Sequence, residues 1–139
     1  MIVYHDTFIS EKCNKTAIIS SIKKKLSEIG STVDIDDFDL NLILDEAIEN
    51  AMEHGNSWDP GKKVTVKIYL NNKDIQILIE DEGSGFNYSD LDSKDLKWQP
   101  ESKPNIRGRG IFILKQLCDI EWINQGNVIK IVLPLKEAN

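Results

Sequence analysis

Two consecutive stretches of the chain alternate apolar and polar residues with the two-residue period of a half-buried β-strand. Apolar side chains occupy every second position from Val64 to Leu70 and again from Ile75 to Ile79. The run Asn71-Asn72-Lys73-Asp74 between them is typical of a turn. The pattern therefore predicts an antiparallel hairpin with one apolar face, and such a face needs a second layer to cover it.

Three segments have the apolar spacing of helices that could cover this face. Candidate N-caps precede the first two segments, and a glycine follows each of them as a stop signal. Acidic residues in the first turn of the second segment suit the positive end of a helix dipole. The expected bounds are Ser10 or Asn14 to Gly30, Asp36 or Asp37 to about His54, and about 108–118.

A strand over residues 2–8 and a second hairpin, 120–123 with 128–133, complete the pattern. We expect an α/β two-layer sandwich, in which a mixed, mostly antiparallel sheet of about five strands is covered on one face by three helices. A length of 139 residues fits one domain, residues 1–139. Residues 83–110 show no sustained period and form too long a segment for a simple connection, which is typical of a functional lid or of disorder.

Charge is unevenly distributed along the chain. Residues 26–61 carry ten acidic residues and no Lys or Arg, whereas the rest carries 17 basic and 13 acidic residues, and the net charge is −6. A protein that binds duplex DNA normally has a basic stripe, so direct nucleic-acid binding is not expected.

The N-terminal residues and the two cysteines favour a cytoplasmic protein. No apolar run approaches the ~18 residues that span a bilayer, and no basic run leads into an apolar segment near Met1. Cys13 and Cys118 lack metal-ligand spacing and are expected to be ordinary thiols in a reducing compartment. We therefore expect neither a signal peptide nor membrane association.

The second predicted helix carries the first candidate functional motif. Glu46, Asn50 and His54 follow at i, i+4 and i+8, which places them on one helix face. Ala47 and Ala51 beside them are small and leave room for a ligand or a close-packed element. A Glu–Asn pair alone would equally be explained by solvated surface residues.

Two glycine-rich motifs follow. Asp81, Gly83 and Gly85 end the predicted strand; the glycines would let the backbone approach a flat ring, and the carboxylate would accept a hydrogen bond from an exocyclic amine. Glycines after a strand also simply make turns. Residues 107–110, Arg-Gly-Arg-Gly, lie at the start of the third predicted helix, where backbone N–H groups and arginine side chains would suit a phosphate group. The alternative is a flexible basic loop.

In this order, the motifs E-x-x-x-N-A-x-x-H-G, D-x-G-x-G-F and G-R-G resemble those of the ATPase domain shared by gyrase, heat-shock chaperones, sensor histidine kinases and mismatch-repair ATPases. Within that superfamily, the chain is most similar to the small bacterial anti-sigma factor serine/threonine kinases of partner-switching systems. The resemblance implies a histidine-kinase-like ATPase fold, ATP and Mg²⁺ as cofactors, and a homodimer. It also implies a sigma factor and an anti-anti-sigma (STAS-type) protein as partners.

The resemblance also implies residue roles. Asn50 matches the Mg²⁺-binding asparagine, Glu46 the catalytic glutamate, and Asp81 the adenine-reading aspartate, supported by Gly83 and Gly85. Residues 87–107 correspond to the ATP lid, and Arg109 stands where many relatives have a small or apolar residue. The remaining nucleotide-binding candidates are Lys103, Arg107, Gly108, Arg109 and Gly110.

Glu46 favours phosphorylation of a hydroxyl group or activation of water. In histidine kinases the matching position is commonly asparagine, whereas a serine hydroxyl is a poorer nucleophile and gains from a positioned carboxylate. We therefore expect a protein serine/threonine kinase that phosphorylates the STAS-type partner and sequesters the sigma factor. The alternative is a non-catalytic, nucleotide-gated binding module that sequesters a regulator. In either case, we interpret the acidic stretch as a metal-binding helix whose charge Mg²⁺ offsets.

Overall fold

The structure is a computed structural model that describes residues 1–29, 33–85 and 108–136. A 3-10 turn, Lys12–Asn14, precedes the first helix, and a π-helical turn, Asn50–Gly55, follows the second. The elements are β1 (Ile2–Ile9), α1 (Lys15–Glu28), α2 (Asp37–Glu49), β2 (Lys63–Leu70), β3 (Asp74–Glu80), α3 (Gly108–Leu117), β4 (Asp119–Ile123) and β5 (Val128–Pro134).

The five described strands form one sheet in the order β1-β2-β3-β5-β4. We had expected a mixed, mostly antiparallel sheet, and every pairing among the described strands is antiparallel. In the predicted hairpin, Val66 lies opposite Ile79 and Ile68 lies opposite Ile77. Opposite residues in an antiparallel pair share a face, so this register collects the alternating apolar side chains on one side of the sheet.

The apolar face of the sheet packs against all three helices in one buried cluster. This arrangement confirms the predicted two-layer α/β sandwich. Fully burying an aliphatic side chain contributes roughly 1.5–3 kcal/mol, so the cluster holds the helices at fixed positions over the sheet. Its fully buried helical members include Ile18 and Ile22 of α1, Ile43, Leu44 and Ile48 of α2, and Ile111 and Leu114 of α3.

The helix starts largely follow the sequence prediction. Asp36 caps α2, because its side chain accepts a hydrogen bond of 2.8 Å from the Asp39 N–H. Asn14 occupies the N-cap position of α1, but its side-chain amide donates to the carbonyl of Ile9 instead. The third helix begins at Gly108, as predicted.

The end of the second helix differs from the prediction. The α-helical hydrogen bonds end at Glu49, and residues Asn50–Gly55 form a π-helical turn in place of the predicted α-helix to His54. A π turn holds about one residue more than an α turn. The predicted face shared by Glu46, Asn50 and His54 assumed an α-helix throughout, so its extension to His54 is not confirmed.

The chain leaves this turn through two consecutive residues with left-handed backbone angles, Ser57 (φ 53°) and Trp58 (φ 56°). Residues other than glycine adopt this conformation at some cost in energy, which surrounding contacts must offset. The Trp58 N–H donates to the carbonyl of Met52, and the partly buried Trp58 side chain packs against the core. These contacts fix the route by which the chain leaves the turn.

Both cysteines are free thiols, as predicted. Cys13 is exposed, whereas Cys118 lies partly buried at the end of α3. Burial, together with the nearby Asp119 carboxylate, raises the pKa of the Cys118 thiol to about 12. In the part of the chain that the structure describes, no helix has the length and apolar character needed to cross a membrane.

Candidate functional site

Glu46 lies on the flank of α2 that faces the start of α3. A Cβ atom built on Gly110 would lie only 2.8 Å from Oε2 of Glu46, closer than real Cβ atoms approach. The missing side chain at position 110 therefore makes room for the carboxylate beside the first turn of α3. The structure thus brings together two predicted site residues that are far apart in the sequence.

Asn50 lies one turn beyond Glu46, at the junction of α2 and the π-helical turn. Its backbone N–H donates to the carbonyls of Ala47 and Glu46, and the residue is only 7 % exposed. Its side-chain amide has no hydrogen bond to any other described residue. Magnesium prefers oxygen ligands and usually keeps waters and substrate phosphates, so a single amide oxygen in this position fits Mg²⁺.

Asp81 follows β3 directly and is 5 % exposed. Its backbone N–H donates to the carbonyl of Asn127 over 2.9 Å, which extends the pairing of β3 with β5 by one residue. Its Oδ1 accepts a hydrogen bond of 2.8 Å from the Gly83 N–H. A Cβ atom on Gly55 would collide with this carboxylate, so the end of the π-helical turn packs directly on Asp81.

The two glycines after Asp81 lie against the backbone of the protein. A Cβ atom on Gly83 would collide with the carbonyl oxygen of Gly55, and one on Gly85 with that of Gln125. Gly85 also has a φ of +81°, which favours glycine. We had expected these glycines to let the backbone approach a flat ring; the contacts that the structure shows are close approaches between loops.

The remaining predicted nucleotide-binding residues lie at or before the start of α3. Gly108 and Arg109 are its first two residues. Lys103, Arg107 and the predicted lid, 87–107, lie outside the described residues. The structure thus places the glutamate, the asparagine, the aspartate and the glycines that follow it. Of the five remaining nucleotide-binding candidates, it describes only residues 108–110.

The opposite flank of α2 carries carboxylates that pair with α1. Lys15 Nζ lies 2.8 Å from Oδ1 of Asp45 and 3.5 Å from Oε2 of Glu49. Lys23 Nζ lies 2.7 Å from Oδ1 of Asp37. Our interpretation of the acidic stretch assumed that Mg²⁺ offsets its negative charge, and it did not consider the lysines of α1. We call Asp37, Asp45 and Glu49 the ion-paired flank, and Glu46 with Asn50 the site flank.

One residue at the site was missed by sequence reasoning. Asn56 follows the helix-ending Gly55 and is fully buried. Its side chain bonds to the backbone of both Lys63 and Glu82, and so connects the end of the π-helical turn with the loop that carries Asp81. Its only sequence signal was a polar residue directly after the H-G pair, which does not by itself indicate burial.

Comparison with known proteins identifies a family that matches most of the chain. The family described as the histidine kinase-like ATPase domain matches residues 15–133. Over 97 % of this chain, the structure superposes on all of a chain of the mycobacterial sensor histidine kinase MprB, with a TM-score of 0.50 and 13 % identity. At that identity the likeness concerns the fold alone.

Two bacterial proteins have a higher sequence identity to this chain than MprB has. The chain is 34 % identical to an anti-sigma F factor of Shouchella clausii over 84 residues, which cover 58 % of this chain and 54 % of that protein. It is 29 % identical to the serine-protein kinase RsbW of Bacillus mycoides over 85 residues, 58 % of this chain and 52 % of the relative. The matches thus span about half the length of these relatives.

The family match covers most of the chain, and it includes Glu46, Asn50, Asp81 and the glycines at the start of α3. The five-stranded sheet with its helical layer agrees with the fold that the motifs implied. The chain therefore belongs to the histidine kinase-like ATPase domain family.

Proposed function

We propose that the chain is an ATP- and Mg²⁺-dependent protein serine/threonine kinase that phosphorylates a STAS-type anti-anti-sigma protein and sequesters a sigma factor. The names of its relatives, anti-sigma F factor and serine-protein kinase RsbW, support this proposal. The observation that carries it is the Glu46 carboxylate held beside Gly110 at the start of α3. This proximity supports a general base that acts beside a helix N-terminus.

In the proposed complex, Asp81 accepts a hydrogen bond from the exocyclic amine of adenine, and Gly83 and Gly85 shape the loop around it. The first turn of a helix has N–H groups without intrahelical partners, and these suit phosphate oxygens. Gly108 and Gly110 are the proposed phosphate-side glycines of this turn of α3. Lys103, Arg107 and Arg109 are proposed to supply further positive charge to the phosphates.

Asn50 is the proposed protein ligand of Mg²⁺. When bound, this ion neutralises charge on the phosphate groups. Support comes from the side-chain amide of Asn50, which makes no hydrogen bond to another described residue although the residue is only 7 % exposed. No three His, Cys, Asp or Glu side chains converge within residues 1–29, 33–85 and 108–136. The proposed site therefore consists of one amide oxygen together with phosphate oxygens and water.

Glu46 is the proposed general base. It takes the proton of the substrate serine or threonine hydroxyl, whose oxygen then forms a bond to the γ-phosphorus. The bond between the γ-phosphorus and the bridging oxygen breaks, and ADP leaves. General-base catalysis typically contributes about 10²- to 10⁴-fold in rate. The rest of the acceleration comes from positioning and charge neutralisation, as in other phosphoryl transfers.

The proposed partners follow from the same resemblance. We propose that residues 1–139 form one domain and that the chain forms a homodimer, which acts in the cytoplasm without direct contact with nucleic acid or membrane. The STAS-type protein supplies the hydroxyl group, and the sigma factor is held in an inactive complex.

Incubation with γ-labelled ATP, Mg²⁺ and STAS-domain proteins of the same organism tests the proposal. We expect one partner to gain a phosphate on a single Ser or Thr, identified by mass spectrometry, and EDTA to abolish the reaction. Nucleotide-dependent capture of a partner without any phosphorylated product would contradict the kinase and support the nucleotide-gated binding module. Failure to bind ATP in magnesium buffer would exclude both.

A further inference from the structure

Asn56 connects three segments of the site through its buried amide. Its Nδ2 donates to the carbonyl of Lys63 at the start of β2 over 3.0 Å. Its Oδ1 accepts from the Glu82 N–H, directly after Asp81, over 2.8 Å. Its backbone N–H donates to the carbonyl of Ala51 over 2.9 Å and so closes the π-helical turn.

A carboxamide suits this position because it donates and accepts at the same time. An aliphatic side chain would leave the Lys63 carbonyl and the Glu82 N–H without this partner, and buried polar groups are costly to leave unpaired. The Lys63 N–H also donates to the carboxylate of Glu82. The start of β2 thus contacts the loop after Asp81 both directly and through Asn56.

The backbone of Gly55 and of the loop after Asp81, both of which Asn56 contacts, surrounds the Asp81 carboxylate. Gly55 packs so closely that a Cβ atom there would collide with this carboxylate, and its carbonyl leaves no room for a Cβ on Gly83. The Gly83 N–H in turn donates to Oδ1 of Asp81. A shift of Gly55 or of Glu82 would therefore move the carboxylate, and Asn56 holds both.

We propose that Asn56 is a positioning residue that holds the Asp81–Gly83 segment against the end of the π-helical turn and so sets the preference of the site for adenine. The inference rests on the proposed function, in which Asp81 accepts a hydrogen bond from the adenine amine. Asn56 acts through Asp81 and does not itself contact the nucleotide. The hydrogen bonds that carry this role lie entirely within the described residues.

The test compares the dissociation constants of Mg·ATP and of purine riboside triphosphate, which lacks the 6-amino group, by calorimetry at low temperature. We expect the wild-type protein to prefer ATP by about 10- to 100-fold, the range for a hydrogen bond to a charged group. In Asn56→Ala the preference should fall towards one through weaker ATP binding, while the affinity for the purine analogue changes little.

A second variant provides a readout that general destabilisation would not give. Asn56→Asp keeps an acceptor for the Glu82 N–H but places a carboxylate oxygen against the Lys63 carbonyl. Protonation turns that oxygen into a donor, and burial favours the protonated form. The adenine preference should therefore recover as the pH falls. Each value is referred to wild type at the same pH, because the segments packed against position 56 carry His54, Asp59, Lys63, Asp81 and Glu82.

Ile22→Ala, a truncation of a fully buried residue of α1, serves as the control. It should lower stability and leave the ratio of the two dissociation constants unchanged. A wild-type ratio in Asn56→Ala, or no recovery with falling pH in Asn56→Asp, would overturn the role of Asn56 alone. A wild-type protein that binds both nucleotides equally, or neither, would overturn the adenine role of Asp81 and this inference with it.

Discussion

The ion-paired flank and the site flank of α2 both carry polar side chains, but these side chains have different surroundings. Asp37, Asp45 and Glu49 lie within 4 Å of lysine ammonium groups of α1. Glu46 approaches Gly110 at the start of α3, and the side-chain amide of Asn50 has no hydrogen bond to another described residue. Formal charge along the sequence therefore does not separate acidic residues that pair with α1 from the one that lies beside α3.

The two flanks should respond differently to substitution. Partly exposed ion pairs contribute little to stability, and salt screens them. A change on the ion-paired flank should therefore alter stability slightly and leave activity intact. A change on the site flank should alter nucleotide binding or transfer and leave stability nearly intact, because Glu46 and Asn50 are not part of the apolar core.

Asn50→Ala should have the largest effect on nucleotide binding. Loss of the proposed magnesium ligand is expected to weaken Mg·ATP binding by on the order of 100-fold, equivalent to about 2.7 kcal/mol. ATP binding in EDTA should change much less. Calorimetric titrations with and without Mg²⁺ measure both values. An equal loss of affinity in the two conditions would contradict the assignment of Asn50 to the metal.

Gly110→Ala tests the contact between α2 and α3. The added Cβ would displace the Glu46 carboxylate, and small displacements of a catalytic group are costly, so transfer should slow by on the order of tenfold. Alanine is a better helix former than glycine, so the change in helix propensity should not lower the thermal stability.

Gly61→Ala is the matched control for this glycine substitution. There, an added Cβ would lie 3.2 Å from a carboxylate oxygen of Asp59, outside the candidate site. Transfer at the wild-type rate in Gly110→Ala, or an equal loss in both variants, would show that the approach of Glu46 to Gly110 is not needed.

Lys15→Met should have the smallest effect and should act on stability alone. It removes the ammonium group that pairs with Asp45 and Glu49 but keeps an apolar chain of similar length. We expect the free energy of unfolding in urea to fall by about 1 kcal/mol at low salt, with less difference in 1 M NaCl. Reduced transfer in the folded variant would contradict the separation of the two flanks.

Most of the fold could be predicted from the sequence because it depends on local patterns. The alternation over 64–70 and 75–79 matches β2 and β3, and Asp36 marks the start of α2 where the structure has its cap. Hydrophobic periodicity changes little when a helical turn contains one additional residue. The π-helical turn therefore remained unrecognised, since Ala51 and Met52 are buried in it much as they would be in an α-helix.

The sequence motifs indicated which residues form the candidate site, but they did not indicate the contacts of those residues. The motifs indicated Glu46, Asn50 and Asp81, but pairing of the acidic residues with Lys15 and Lys23 depends on how α1 packs against α2. The role of Asn56 was hidden for the same reason. Its partners lie 7 and 26 residues away in the chain, and only the folded structure brings their backbone groups to its amide.

A comparison of Glu46→Gln with Glu49→Gln most directly tests whether the site flank performs the chemistry. The two glutamates lie on the same helix, and both variants remove one charge and keep the shape. With a cognate partner, we expect Glu46→Gln to lose at least about 100-fold in transfer rate while ATP affinity stays close to wild type, and Glu49→Gln to keep the wild-type rate. Full transfer activity in Glu46→Gln would contradict the account.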